Sequence, residues 1–251
     1  MANIREVNDA ALPQKPLAGR VALVTGSSRG IGKAIACKLS ELGAAVSLCA
    51  RDAKTLAQAA LELENLGARV YAYAADVTKA ADVAALVRTT EEHLGPISIL
   101  VNNAGIGNPG FGPVQEKSEQ DWEMVMNTNL KSVFLMSAAV APLMIARGGG
   151  EIINISSLAG KNTFAGGALY CASKWGLQGL AGCMAEDLRG HGIRVSVICP
   201  GSVATEFSGR VPKDPRKALS AEDVAHAVGM VATQGPQSFI SEVALRPVTK
   251  A

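Results

Sequence analysis

Apolar residues follow two alternating rhythms along this chain. Short runs such as "RVALVTG" (20–26), "ISILVNNAG" (97–105) and "IRVSVICPG" (193–201) are apolar at almost every position. Runs of that kind predict strands buried on both faces, as in a parallel sheet covered by helices. "AAVSLCA" (44–50), "RVYAYAAD" (69–76) and "GEIINISS" (150–157) add three more strands, and "SFISEVALRP" a seventh. Between them, apolar residues recur three and four apart, the helical spacing. Helices are predicted after Gly30 up to a stop at Gly43, over "TLAQAALELENLG", around 80–94, over 119–147 with a bend or interruption near Pro142, and over 168–190. Ser220 with Asp223 forms a capping-box pattern that opens a last helix.

Strand and helix alternate from end to end without a repeat or linker. The pattern predicts one doubly wound, Rossmann-type α/β domain over residues 17–251, with a seven-stranded parallel sheet and helices on both faces. Residues 1–16 are expected to be a loose arm. In such sheets ligands bind at the carboxyl ends of the strands.

Composition narrows the function. The 251 residues carry a formal charge of +2, which gives no reason to expect a nucleic-acid or membrane partner. No continuous apolar run reaches the ~20 residues that span a bilayer. The opening "MANIREVNDAALPQKP" lacks the apolar core of a secretory signal, so a cytoplasmic location is expected. Five cysteines lie singly in apolar patterns and read as reduced thiols. Three isolated histidines argue against a metal site, and none is expected.

The chemistry concentrates in a few places. "TGSSRGIG" (25–32) follows the first strand and opens the first helix. Glycines 26, 30 and 32 permit a tight turn and close backbone approach to a pyrophosphate at a helix N-terminus. Gly26, Ser28, Arg29, Gly30, Ile31 and Gly32 are the expected cradle. The second strand ends "CARD", with Ala50 where an acid would bind the ribose 2′-hydroxyl of NAD, then Arg51 and Asp52. Arg29 and Arg51 suit a 2′-phosphate, so NADP(H) is favoured over NAD(H); the alternative has Asp52 binding the ribose. "ALYCASKWG" (168–176) places Tyr170 and Lys174 four apart on one helix face. A tyrosine ionises near pH ~10, so it needs help to move a proton.

Together these motifs resemble the short-chain dehydrogenase/reductase family, in its 3-oxoacyl-(acyl-carrier-protein) reductase-like branch. The resemblance covers roughly residues 18–206. It rests on the glycine turn, Asp76–Val77, "NNAG" at 102–105, Asn129 in "NTNL", Ser157 in "NISS", Tyr170-x-x-x-Lys174 and "PGSVAT" at 200–205. It implies that Tyr170 is the general acid/base and that Lys174 binds the nicotinamide ribose and lowers the Tyr170 pKa. It further implies that Ser157 holds the substrate carbonyl and that Asn129 holds a water linked to Lys174. Ser156 is the rival serine; the thirteen-residue spacing to Tyr170 favours Ser157. Asp76 and Val77 are assigned to the adenine, Asn103, Ala104 and Gly105 to the adenosine-ribose side, and Pro200, Gly201, Val203 and Thr205 to the nicotinamide side.

The implied activity is NADP(H)-dependent hydride transfer between the nicotinamide and a small carbonyl or secondary alcohol. A dedicated 3-oxoacyl-carrier reductase is an alternative, although the end "SEVALRPVTKA" departs from that branch's Gly-rich tail. A catalytically silent NADP(H)-binding sensor or scaffold is an alternative of another class. The segment "EFSGRVPKDPRKAL" (206–219) reads as the substrate loop. Its Arg210, Lys213 and Arg216, with Lys161, either attract an anionic substrate or are simply solvated. The resemblance also implies a homotetramer, or else a dimer, assembled through the helices near 119–147 and 168–190.

Overall fold

A computed structural model describes residues 15–107, 109, 112–205, 207 and 214–249. Most of the expected arm, and 206 and 208–213 of the expected substrate loop, lie outside the described residues. The strands are β1 (Val21–Thr25), β2 (Ala45–Ala50), β3 (Val70–Ala74), β4 (Ile97–Asn102), β5 (Gly150–Ile155), β6 (Ile193–Pro200) and β7 (Glu242–Leu245). All neighbouring pairs are parallel, in the order β3-β2-β1-β4-β5-β6-β7. The order reverses between β1 and β4, which creates a crevice at their carboxyl ends.

The helices are α1 (Gly30–Glu41), α2 (Ala53–Asn65), α3 (Ala80–Leu94), α4 (Glu119–Met126), α5 (Ser132–Ala146), α6 (Ala168–Arg189) and α7 (Ala221–Ala232). Side chains of a strand point alternately to opposite faces. Accordingly Ala22 and Val24 of β1 join one core with Ile35 and Leu39 of α1, Leu56 and Leu63 of α2, and Val224 and Val228 of α7. Val21 and Leu23 join the other, with Leu86 of α3, Met136 and Met144 of α5 and Ala181 of α6. Continuous apolar strands are therefore needed because both faces are covered. The capping box at Ser220 forms as expected, and Ser118 with Asp121 forms a second one at the start of α4.

The helix over 119–147 differs from expectation. It runs through Pro142, which lies inside α5, and its irregularity is a π turn at Asn127–Lys131. Proline removes one backbone donor, and the flanking Val140, Ala141 and Met144 stay buried, so packing holds the helix together there. The π turn inserts an extra residue around Asn129, a distortion that concentrates at functional positions.

The helical run Glu119–Ala146 is long and apolar enough to cross a membrane by length and composition alone, although polar residues such as Asn129 and Lys131 interrupt it. In the fold, Met136, Val140 and Met144 pack against the sheet. Phe134, Trp122 and Met124 of the same run remain about half exposed.

Candidate active site

The glycine turn sits where β1 hands over to α1. Gly26 and Gly30 take φ of +66° and +55°, the left-handed region that glycine adopts without penalty. Gly32 is needed for a different reason. A Cβ there would overlap the Gly26 carbonyl oxygen and the Asn103 side-chain amide. Asn103 Nδ2 donates to the carbonyls of Thr25 at 2.9 Å and Gly26 at 3.1 Å, which ties this turn to the end of β4. Thr25 Oγ1 completes the tie by accepting from the backbone N–H groups of Asn103 and Ala104, both at 3.0 Å. Thr205 lies next to Gly30, its Cγ2 3.6 Å from where a Cβ would stand. The structure thus brings the turn, "NNAG" and "PGSVAT" to one crevice.

Ser27 was not singled out in the sequence. It is fully buried; its backbone N–H donates to Cys49 O at 3.1 Å, and its Oγ accepts from Cys49 N at 2.9 Å. These bonds lock the turn to β2, the strand whose end carries Arg51.

At that end Arg29, Arg51 and Asp52 are all exposed. Asp52 caps α2, its Oδ1 accepting from Thr55 N at 2.8 Å. That commitment lowers the carboxyl pKa through the Thr55 backbone hydrogen bond. Asp76 is only partly buried, and desolvation would raise its pKa. Two hydrogen bonds from Thr78 at 2.8 and 3.1 Å outweigh that and hold it below the usual carboxylate range, with Lys79 and Arg51 adding to the pull.

The second half of the crevice belongs to β5, β6, α6 and the π turn. Lys174, on α6, is 5% exposed and donates from Nζ to Ile155 O, the last residue of β5, at 2.9 Å. Burial pushes its pKa down to about 8. Its Nζ lies 5.8 Å from the centroid of the Tyr170 ring. Asn129 is clamped from three sides: Oδ1 accepts from Ile106 N at 2.8 Å, and Nδ2 donates to Ile106 O at 2.9 Å and Ser173 Oγ at 3.1 Å. Ser173 Oγ in turn donates to Tyr170 O at 2.8 Å. Gly105 leaves room here, since its missing Cβ would stand 3.3 Å from Asn129 Oδ1 and 3.9 Å from Lys174 Nζ. Neither Ile106 nor Ser173 was legible in the sequence, because both act through contacts made only by folding.

Ser157 begins the short turn after β5; its Oγ accepts from Ala159 N at 3.1 Å and approaches Pro200 O at 3.5 Å. Burial raises the Tyr170 pKa above its ordinary value, and hydrogen bonding with Ser157 pulls it back only in part. Burial therefore sets the net direction, opposite to the expected lowering by Lys174. Desolvation acts on both groups, raising the phenol and lowering the ammonium to about 8. Ser156, the rival serine, is 3% exposed. Phe207, missed as an individual residue, lays its ring edge-on to Tyr170 at 6.2 Å and touches the space over Gly107.

Among the sequence-derived cations, Lys161 pairs with Glu242 at 2.6 Å and Arg216 with Asp214 at 3.0 Å. Arg210 and Lys213 lie outside the described residues. Among the described residues no group of His, Cys, Asp and Glu is placed to hold a metal.

The depressed lysine pKa carries a pH signature. Lys174 titrates near 8 folded and near its ordinary 10.5 unfolded. Between those values the unfolded chain binds the extra proton, so stability rises with pH, by an amount on the order of 3 kcal/mol across the window. Lys174→Met is expected to flatten that rise relative to the parent in denaturant titrations from pH 7.5 to 10.5. Parallel slopes in the two proteins would show that Lys174 is not desolvated.

A parallel sheet in this order, with a glycine turn at its switch point and a Ser–Tyr–Lys–Asn cluster beside it, defines an α/β dinucleotide-binding oxidoreductase. A family model described as short chain dehydrogenase matches residues 20–216, and the chain belongs to that family. Solved structures of the same fold include a metagenomic short-chain oxidoreductase in complex with NADP. It is 45% identical, with a TM-score of 0.83 over 93% of this chain and 100% of that one. Gluconate 5-dehydrogenase of Gluconobacter oxydans is 42% identical over 200 residues, 79% of this chain and 77% of the relative. The 3-oxoacyl-(acyl-carrier-protein) reductase FabG of Pseudomonas aeruginosa is 37% identical over 229 residues, 87% and 92% of the two chains.

Proposed function

We propose that this protein is an NADP(H)-dependent oxidoreductase interconverting a carbonyl compound and a secondary alcohol. The observation that carries the reading is the convergence of Tyr170, Ser157, Lys174 and Asn129 beside the Gly26–Gly32 turn, at the carboxyl ends of β1, β4, β5 and β6.

The residues fit the cofactor. Gly30 and Gly32 open the turn for a pyrophosphate, and Arg29 and Arg51 stand where a 2′-phosphate would need cations. Asp76 and Val77 hold the adenine side, and Asn103 to Gly105 the ribose side. Pro200, Gly201, Val203 and Thr205 face the nicotinamide side. The NADP complex of the 45% identical structure supports the same cofactor here. When bound, the reduced nicotinamide supplies the two electrons of the reduction.

The chain's own residues handle position and proton. Ser157 Oγ donates to the substrate oxygen and fixes it against Tyr170. The Tyr170 phenol, kept protonated by burial, gives its proton to that oxygen as negative charge develops. Lys174 then stabilises the phenolate formed. Asn129, held by Ile106 and Ser173, aligns the π turn beside Lys174 so that a water there can replace the proton.

The relatives named above act on a sugar acid and on carrier-bound acyl groups, and FabG keeps a 3-oxoacyl-carrier substrate as the second reading. Loss of NADPH absorbance against a panel of ketones, oxo acids and 3-oxoacyl thioesters tests the proposal. Turnover confined to thioesters selects the second reading. Tight NADPH binding with no turnover on any carbonyl would instead make the chain a sensor or scaffold.

A homotetramer is part of this reading, supported by exposed Trp122, Phe134 and Trp175 on α4, α5 and α6; a monomeric mass by light scattering would overturn it. The five unpaired cysteines support a cytoplasmic setting.

A further inference from the structure

Gln178 lies one helical turn beyond Lys174 on α6, and the site described so far makes no use of it. Its Nε2 donates to Ser156 Oγ at 3.3 Å and to Cys199 Sγ at 3.0 Å. Both acceptors are buried, at 3% and 0% exposure. Their positions give the contact its meaning. Ser156 immediately precedes Ser157, and Cys199 immediately precedes Pro200, whose carbonyl lies 3.5 Å from Ser157 Oγ. One side chain therefore bridges the two residues that set the Ser157–Pro200 approach. One turn earlier, Lys174 holds the carbonyl of Ile155, the residue before Ser156.

The surroundings leave little slack. Ser156 N donates to Ile198 O at 2.7 Å, fixing β5 to β6 at this level. A Cβ on Gly160 would stand 2.8 Å from Lys174 O and 3.1 Å from Ser156 Oγ, so the turn after Ser157 rests directly on α6. Beyond the Ser156–Ile198 backbone bond, Gln178 adds a side-chain link from α6 to both Ser156 and Cys199, the residues that precede Ser157 and Pro200.

We infer that Gln178 is a positioning residue, which sets the Ser157 hydroxyl against Tyr170 by clamping Ser156 and Cys199 to α6. The inference rests on the oxidoreductase reading for its kinetic consequence, but its structural consequence can be read without any substrate. Ser157 lowers the Tyr170 pKa through hydrogen bonding. Loosening Ser157 weakens that bond, and the phenol titrates at higher pH.

The variant is Gln178→Met, which keeps the length and removes the donor. With fluorotyrosine incorporated, the fluorine NMR signal of Tyr170 is assigned by its loss in Tyr170→Phe. Gln178→Met is expected to move its titration midpoint upward by about half a unit or more. Ser156→Ala is expected to move it in the same direction, and the double variant no further than either single one. An unmoved midpoint in Gln178→Met, with the protein folded, overturns the inference whether or not a substrate is known. With an active carbonyl, kcat is expected to fall about tenfold while the KM for NADPH holds. Parent-like kcat would likewise overturn it.

Discussion

Tyr170→Phe is expected to cut kcat for carbonyl reduction by about 10²–10⁴-fold, the range that positioned acid–base groups contribute. The substitution removes one hydroxyl and little else. The edge contact with Phe207 at 6.2 Å is between rings, and the bond from Ser173 goes to the Tyr170 backbone, so both survive. Lys174 keeps its bond to Ile155 O. NADPH affinity should therefore stay within about threefold, and fluorescence titration reads it in the same preparation.

The pH dependence has a definite sign. Burial raises the phenol pKa, so the acid form persists through neutral pH. Reduction should be flat there and fall as pH rises through the phenol pKa, whereas alcohol oxidation should rise over the same range. Both limbs should vanish in the Phe variant. A variant that turns over at a rate near the parent's removes Tyr170 from the proton transfer.

The parts of this protein written in side-chain periodicity were readable from the chain. β1, β4 and β6 were recognisable because a strand covered on both faces must be apolar at successive positions, and their observed limits fall within the expected ones. α3 matches its expected span of 80–94, since Val83, Leu86, Val87 and Leu94 repeat at helical spacing. The glycine turn was readable for a different reason: two positive φ values disfavour a side chain and one backbone contact excludes a Cβ.

What escaped was set by competition between effects of similar size. The π turn at Asn127–Lys131 leaves no mark in hydrophobic spacing, whereas Pro142 offered a visible place for an interruption that α5 does not make. The direction of the Tyr170 shift depends on burial against charge, and only packing shows that Lys174 is itself desolvated. Ile106 takes part through its backbone, which any residue carries. Ser173 and Gln178 are ordinary polar helix residues until their partners arrive from the π turn, β5 and β6.

The double variant Arg29→Ala/Arg51→Ala is expected to lose about 10²-fold or more in NADPH affinity while NADH affinity stays within about threefold. A hydrogen bond to a charged group contributes about 1.5–3 kcal/mol, and two such cations facing one 2′-phosphate reach that factor even after exposure weakens them. Two observations favour the arginines over a ribose-binding acid. Ala50 ends β2 where the acid would stand, and the Asp52 carboxylate is engaged with Thr55 N at 2.8 Å as the cap of α2. Turning Asp52 toward a ribose would give up that cap and weaken the start of α2. Ser27, bonded to Cys49, keeps the turn bearing Arg29 in register with the strand that leads to Arg51. Both arginines are exposed, so salt should screen them: NADPH preference in the parent is expected to shrink as ionic strength rises, with NADH binding little changed. Isothermal titration with both cofactors at two salt concentrations makes the measurement. Equal NADPH and NADH affinities in the parent would sink the assignment. A preference that survives both substitutions would move the 2′-phosphate site away from the end of β2.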